Sequence, residues 1–422
     1  MNLAIIAIII VILTIIALII EVFPVAVTAM LSAIIMSLLG IISYKDVFSG
    51  FSKDTTILMA GSMIIGATLV ETGIARDLTK LLNKNVAKSE KFFVATLIII
   101  SGTIAAFVSN TATVLMFIPV LTSITENSDG RLKLKNLLLP LVIATRLGGI
   151  ATLIGAPCQM IANGILNEYG LEGFKMLDFA RFGIPLLILY VIYSISIGYK
   201  RINKFDDNDS VTESNKVNNI LIKNDDKRKK IITLIIFMIF IVGLVTEIVP
   251  NGIIAVICSL LCIITKCIDG KKAIGSINLA TICFVAGSLG FCKGMESSGA
   301  SELITNKILL LPLAKLPDIA ILAIILFITI ILTNMISSTA LITLLTPIGI
   351  MLAQNLGIDV KAMILTMALG SNISFLSPVA SPPMTLITSI GNYKVKEIMK
   401  VGIEFAIISY VFIVLMLFFT VL

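Results

Sequence analysis

Four short polar segments interrupt an otherwise apolar chain of 422 residues. One is Val108-Ser109-Asn110-Thr111-Ala112-Thr113, and a second runs from Asn334 to Thr339 through Ser337 and Ser338. A third runs from Gly148-Gly149 to Gly155-Ala156-Pro157. The fourth runs from Gly370-Ser371-Asn372 through Ser377-Pro378 to Ser381-Pro382-Pro383. Each combines helix breakers with hydroxyls or amides, so each reads as the start of a half-helix. Ser, Asn and Thr are preferred N-caps, and Pro is favoured at the first helical position. A helix N-terminus offers unpaired N–H groups and about half a positive charge. Several such ends meeting away from water would hold an anion with little help from basic side chains. The broken backbone and its flanking hydroxyl and amide oxygens would suit sodium.

Ser and Thr in membrane helices usually serve packing or bond back to their own helix, and Pro in a span is often only a kink. Recurrence tips the balance towards function. Ser109-Asn-Thr-Ala112 returns as Ser337-Ser-Thr-Ala340, and a proline follows each (Pro119, Pro347). Ala156-Pro157 returns as Ser381-Pro382, Glu21-Val-Phe-Pro24 as Glu247-Ile-Val-Pro250, and Ala60-Gly-Ser62 as Ala286-Gly-Ser288. Gly73 matches Gly299. The offset stays between 225 and 228, so the chain is an internal repeat.

The elements that must position these segments are membrane helices. The chain is 58% hydrophobic and 14% charged, against about 25% charged in a soluble domain. Runs such as Leu3–Ile20, Pro24–Ile42, Ile231–Thr246 and Val401–Leu422 match the ~20 residues that cross a bilayer. The expected fold is an all-α polytopic membrane protein of two inverted repeats. Each repeat has five spans, one of them broken, plus a re-entrant helical hairpin. Residues 1–200 form the first repeat, with a hairpin at about 91–125 and a broken span at about 136–167. Residues 201–230 form a polar cytoplasmic linker, and 231–422 the second repeat, with a hairpin at about 318–355 and a broken span at about 362–391. An odd number of crossings inverts the second repeat. With the linker inside, the inner loops hold 23 Lys/Arg and the outer loops eight. That bias puts both termini outside an inner, multi-pass cell membrane.

The net charge of +7 is therefore topological and does not indicate nucleic acid. The N-terminus lacks a basic region and a cleavage site, so it reads as a first span. The six cysteines show no metal-site spacing and read as structural. There is no histidine, and Glu21, Glu71, Glu247, Glu296 and Glu404 are expected towards span ends. No catalytic cluster is visible, so an enzyme is disfavoured and no cofactor is expected. Scarce buried acids also weigh against proton relays and cation antiport. Arg146 lies about ten residues into its span, roughly 15 Å deep by helix rise. A charge there is a candidate for substrate binding, although a snorkelling side chain would also account for it.

Ser109-Asn-Thr-Ala-Thr113 with Pro119, Gly148-Gly-Ile-Ala-Thr152-Leu-Ile-Gly-Ala-Pro157 and Pro378-Val-Ala-Ser-Pro-Pro383 resemble the divalent anion:sodium symporter family of the ion-transporter superfamily. The resemblance covers nearly the whole chain. It implies a homodimer in the lipid bilayer, elevator-type alternating access, and symport of a small anion (a di- or tricarboxylate, sulfate or a similar oxyanion) with sodium as coupling ion. It also implies one sodium at Ser109, Asn110, Gly148 and Gly149, and another at Thr333, Ser338 and Ser374. The anion would meet Ser109, Asn110, Thr111, Arg146, Ala156, Pro157, Ser337, Ser338, Thr339, Ser381 and Pro382. Departures from the family pattern are Ser338 in place of Asn, Gln159 and Met384 at the ends of its Pro-Pro-Asn motifs, and Arg146 in place of a small residue. The competing readings are an arsenite or Na⁺/H⁺ carrier of the same superfamily, an anion exchanger, and, less favoured, a passive channel or a polytopic membrane enzyme.

Overall fold

The computed structural model describes residues 3–20, 22–74, 77, 89–126, 128, 132–198, 226–309, 316–378 and 381–421. Most of the expected linker, and most of the expected inner loop at 76–91, lie outside the described residues. The described residues form helices and no strands. The first half contains α1 (Leu3–Ile20), α2 (Val25–Leu38), α3 (Tyr44–Ser49), α4 (Asp54–Glu71), α5 (Glu90–Ala105), α6 (Asn110–Glu126), α7 (Leu134–Ile150), α8 (Pro157–Glu168) and α9 (Ala180–Tyr193). A π-helical turn, Ser194–Gly198, extends α9. The second half contains α10 (Lys227–Thr246), α11 (Asn251–Ile264), α12 (Gly270–Gly275), α13 (Leu279–Ser297), α14 (Ala300–Leu309), α15 (Asp318–Thr333), α16 (Ser338–Leu356), α17 (Val360–Asn372), α18 (Pro382–Ile390) and α19 (Val395–Val421). Helix α10 takes in Lys227–Lys230, the end of the segment read as linker, because Asp226 caps it by accepting from the Arg228 N–H.

Seven helices of the described residues are long and apolar enough to cross a membrane. Three shorter ones, α2, α11 and α15, are equally apolar in character. Their outer faces carry exposed Ile, Leu, Val and Phe, as a bilayer solvent requires.

The two halves repeat the same order of elements with matching local stereochemistry. Pro24 and Pro250 start α2 and α11 with φ of −50° and −48°. Gly73 and Gly299, just after α4 and α13, both have positive φ (79° and 73°), where a Cβ would be strained. The repeated Ala-Gly-Ser motif has a packing role. A Cβ on Gly61 would lie 2.7 Å from Ala255 Cβ, and one on its counterpart Gly287 would lie 2.8 Å from Met30 N and 3.1 Å from Ala29 C. Ala29 and Ala255 are themselves counterparts. Small residues let α4 approach α11, and α13 approach α2, where apolar burial against lipid supplies no drive.

Helix directions follow from these contacts. Gly287, Gly290 and Gly294 meet Met30, Ala33 and Met36 in order, so α2 and α13 run parallel. Asp54 and Gly61 meet Gly252 and Ala255 in order, so α4 and α11 do too. The counterparts α4 and α13 run antiparallel. Lys272, just before α13, pairs with Glu71 at the end of α4 at 2.5 Å, whereas Ala286 within α13 packs on Gly50 before α4 begins. Ion pairs among the described residues also sort by membrane face. Lys53–Glu168, Lys361–Glu172, Lys361–Asp178 and Lys293–Glu296 join residues of one expected face. Lys135–Glu397, Lys230–Asp77 and Lys272–Glu71 join residues of the other.

At the centre lies α7, whose every residue is buried. One expectation fails in this interior. Glu404 does not sit at a span end but lies well inside α19, where it accepts a 3.0 Å hydrogen bond from Tyr193.

Candidate functional site

Both hairpins turn in a few residues between α5 and α6, and between α15 and α16. The tips are the N-termini of α6 and α16. At the first tip the exposed Ser109 accepts a 3.3 Å bond from the Ala112 N–H. Asn110, the first residue of α6, is 7% exposed. At the second, Ser337 precedes α16 with its hydroxyl buried and unpartnered, and Ser338 opens the helix, also buried. Thr111 and Thr339, the next residues, are half-buried and border both tips.

The two interrupted spans supply the other helix ends. In the first, α7 stops at Ile150 and α8 starts at Pro157, with Ala156 as an extended N-cap. In the second, α17 stops at Asn372 and α18 starts at Pro382, with Ser381 as an extended N-cap. Proline at the first position needs no N–H, so it starts a helix where a preceding carbonyl is lacking. The halves interlock here: α8 packs on α16, and α18 on α6. Cys158, one residue into α8, is buried at this junction.

Both tips meet the last two turns of α7. Gly149 faces the first tip, and a Cβ there would stand 2.9 Å from Asn110 Oδ1 and 3.0 Å from Gly155 O. Thr152 bonds Ala106 O and accepts from the Gly155 N–H at 3.2 Å, which pins the break against the end of α5. Gly148 points elsewhere, since a Cβ on it would fall 2.0 Å from Gly102 O, so its smallness serves the α5–α7 contact. Arg146, one turn earlier, is 6% exposed and faces the second tip. Its Nη2 donates to Ser338 Oγ (2.9 Å), to Ser371 O (3.3 Å) and to Ser374 Oγ. Among the described residues no carboxylate forms an ion pair with it. Thr333 closes the ring, with its hydroxyl 3.1 Å from Ser338 Oγ and donating to Ser371 O at 2.9 Å. Asn334 staples the tip to the second break, donating to Ile373 O (3.1 Å) and accepting from the Leu376 N–H (2.9 Å).

Several polar atoms here have no protein partner. Of twelve buried unpartnered side-chain atoms among the described residues, six fall on these tips and breaks: Asn110 Oδ1, Arg146 Nε, Gln159 Oε1, Ser337 Oγ, Asn372 Oδ1 and Ser381 Oγ. Each such atom costs about 1–3 kcal/mol if it stays unsatisfied, so their concentration makes the tips and breaks the candidate site. Gln159 and Asn372 were not singled out as ligands from sequence. Gln159 fills the first break, donating from Nε2 to Ile150 O at 3.2 Å. Its place immediately after Pro157-Cys158 was the available signal. Pro382, by contrast, is exposed.

A buried polar centre between interrupted membrane spans, fed by the tips of two hairpins, defines a membrane transporter rather than an enzyme. The family described as citrate transporter (CitMHS) matches residues 15–370, and the chain belongs to it, among the divalent anion:sodium symporters. An uncharacterized transporter of Methanocaldococcus jannaschii is 27% identical over 92% of this chain and 88% of its own length. The sodium-dependent dicarboxylate transporter SdcS of Staphylococcus aureus strain USA300 is 24% identical over 94% of this chain and 82% of its own. The sodium-dependent high-affinity dicarboxylate transporter 3 of Caenorhabditis elegans is 24% identical over 90% and 77%. Among solved structures, the YdaH transporter of Alcanivorax borkumensis superposes with a TM-score of 0.64 at 13% identity, over 92% of this chain and 88% of that one, a likeness of fold.

Proposed function

We propose that this protein imports a small di- or tricarboxylate, or an oxyanion such as sulfate, by sodium symport across the cell membrane. The observation that carries the reading is the meeting of both hairpin tips on the last two turns of α7, around buried polar atoms without partners. The named activities of the SdcS and nematode relatives point the same way.

In this reading Asn110 Oδ1, with backbone carbonyls near Gly149 and Gly155, takes sodium. Its position favours a cation because it is an acceptor that nothing donates to. The anion lies between the N-termini of α6, α8, α16 and α18, bonded by the hydroxyls of Ser337, Ser381, Thr111 and Thr339. Helix N–H groups and their dipoles supply the positive field. Sodium binding first orders the tip and cancels the repulsion that an incoming carboxylate would meet from exposed carbonyls. The antiparallel course of α4 and α13 supports two inverted halves. The hairpins, interrupted spans and final spans would move as one body against α1–α4 and their counterparts, as an elevator, in each subunit of a homodimer with both termini outside. The linker would face the cytoplasm.

Purified protein in liposomes tests this. Uptake of labelled succinate, citrate or sulfate should require an inward sodium gradient and fall to background when choline replaces sodium. Full-rate uptake in choline would refute the coupling.

A further inference from the structure

We infer that the Arg146 guanidinium is a tethered cation filling the second of two equivalent cation cages, so that only the first cage exchanges sodium. The inference rests on the symport reading above and concerns how many ions that site takes.

The second cage is built of neutral oxygens: the hydroxyls of Thr333, Ser338 and Ser374 and the carbonyl of Ser371. Such a set suits an alkali ion, and three of its members are the residues at which the resemblance implied sodium. In the structure a guanidinium nitrogen stands among them. Nη2 carries two hydrogens but has three oxygens around it, from Ser338, Ser371 and Ser374. With no carboxylate pairing among the described residues, these dipoles are the charge's compensation. Arginine cannot lose its proton under physiological conditions, so this cation is permanent. A sodium ion brought into the same oxygens would have to displace it and meet its full repulsion in a medium of low dielectric.

The cation also comes from the opposite half. Arg146 belongs to α7, whereas every oxygen it bonds belongs to α15–α17 or the break after α17. The link therefore holds the interrupted span of one half to the hairpin tip of the other. A sodium ion would release that contact on every turnover. The first cage has no such occupant, because Asn110 Oδ1 is buried without a donor.

The test is the melting temperature of detergent-purified protein against sodium chloride, with choline chloride holding ionic strength constant. A ligand bound only to the folded state raises stability in proportion to log concentration once it saturates, and the slope counts sites. Wild type should give the slope of one sodium, with a Hill coefficient of about one for sodium-driven uptake. Arg146→Ala, which vacates the cage, should roughly double the slope, and Arg146→Lys, which keeps a tethered cation, should restore the wild-type slope. A two-site slope in wild type, or an unchanged slope in folded Arg146→Ala, overturns the proposal. If Arg146→Ala does not fold, wild type and Arg146→Lys decide it, since a cooperative sodium response in either contradicts a resident cation. Absence of any sodium response in wild type, with a response appearing in Arg146→Ala, would refute symport at the first cage and uphold Arg146 as the second cage's cation. No response in either would overturn both.

Discussion

At the first tip, Asn110 Oδ1 lies buried beside Gly149 and Gly155 with nothing donating to it. At the second, the oxygens of Ser338, Ser371 and Ser374 are all engaged by Arg146. The places are equivalent in the repeat, and the backbone around them is of one design. The difference lies in which side chains each half presents to the other. Glycine at 149 leaves the first tip open, whereas Arg146, one turn earlier on the same helix, reaches across and closes the second. On the proposed reading, a repeat keeps two cages in its backbone while side chains decide which one exchanges an ion.

The comparison can be broken most severely at Asn110. Asn110→Ala removes the free acceptor, and sodium-driven uptake should fall by at least about 100-fold, the upper range for loss of a metal-site partner. A variant with sodium dependence intact would show that the first tip is not the exchanging cage. Gly149→Ala should act through the same tip with less force. Its Cβ would crowd Asn110 Oδ1 at 2.9 Å and Gly155 O at 3.0 Å, so half-saturating sodium should rise by about tenfold, which corresponds to ~1.4 kcal/mol. An unchanged sodium requirement would mean that the tip is looser than its packing implies. Ser338→Ala should be the mildest, since Arg146 keeps two other acceptors. Loss of one net hydrogen bond costs about 1 kcal/mol, visible as a lower melting temperature, with the sodium half-saturation near wild type. A sodium affinity that collapses in Ser338→Ala would place an exchanging ion at the second tip.

Much of this was legible in the sequence, for a physical reason. Helix ends inside a bilayer need capping residues and prolines, so Ser109-Asn110, Ser337-Ser338, Ala156-Pro157 and Ser381-Pro382 stand out against Ile and Leu, and their repetition marks the halves. Arg146 stood out too, as a charge in a span, but its partners did not. Ser338, Ser371 and Ser374 lie about 200 residues away in sequence, and only the interlocking of the halves brings them to it. Nor could the sequence tell the two adjacent glycines apart, because which one faces Asn110 and which one Gly102 depends on the rotation of α7. Glu404 was misplaced because α19 is 27 residues long and takes the carboxylate inward to meet Tyr193. Gln159, a departure from the family motif, and Asn372, within the fourth polar segment, were not assigned as ligands, because nothing in the sequence shows that their oxygens are left unpartnered at the breaks.

The most direct measurement is equilibrium binding of radioactive sodium to the purified protein, counted per chain. One sodium in wild type, and none in Asn110→Ala, is the predicted result. Two sodium ions in wild type, or binding that survives Asn110→Ala, would contradict an open first cage and a second closed by Arg146.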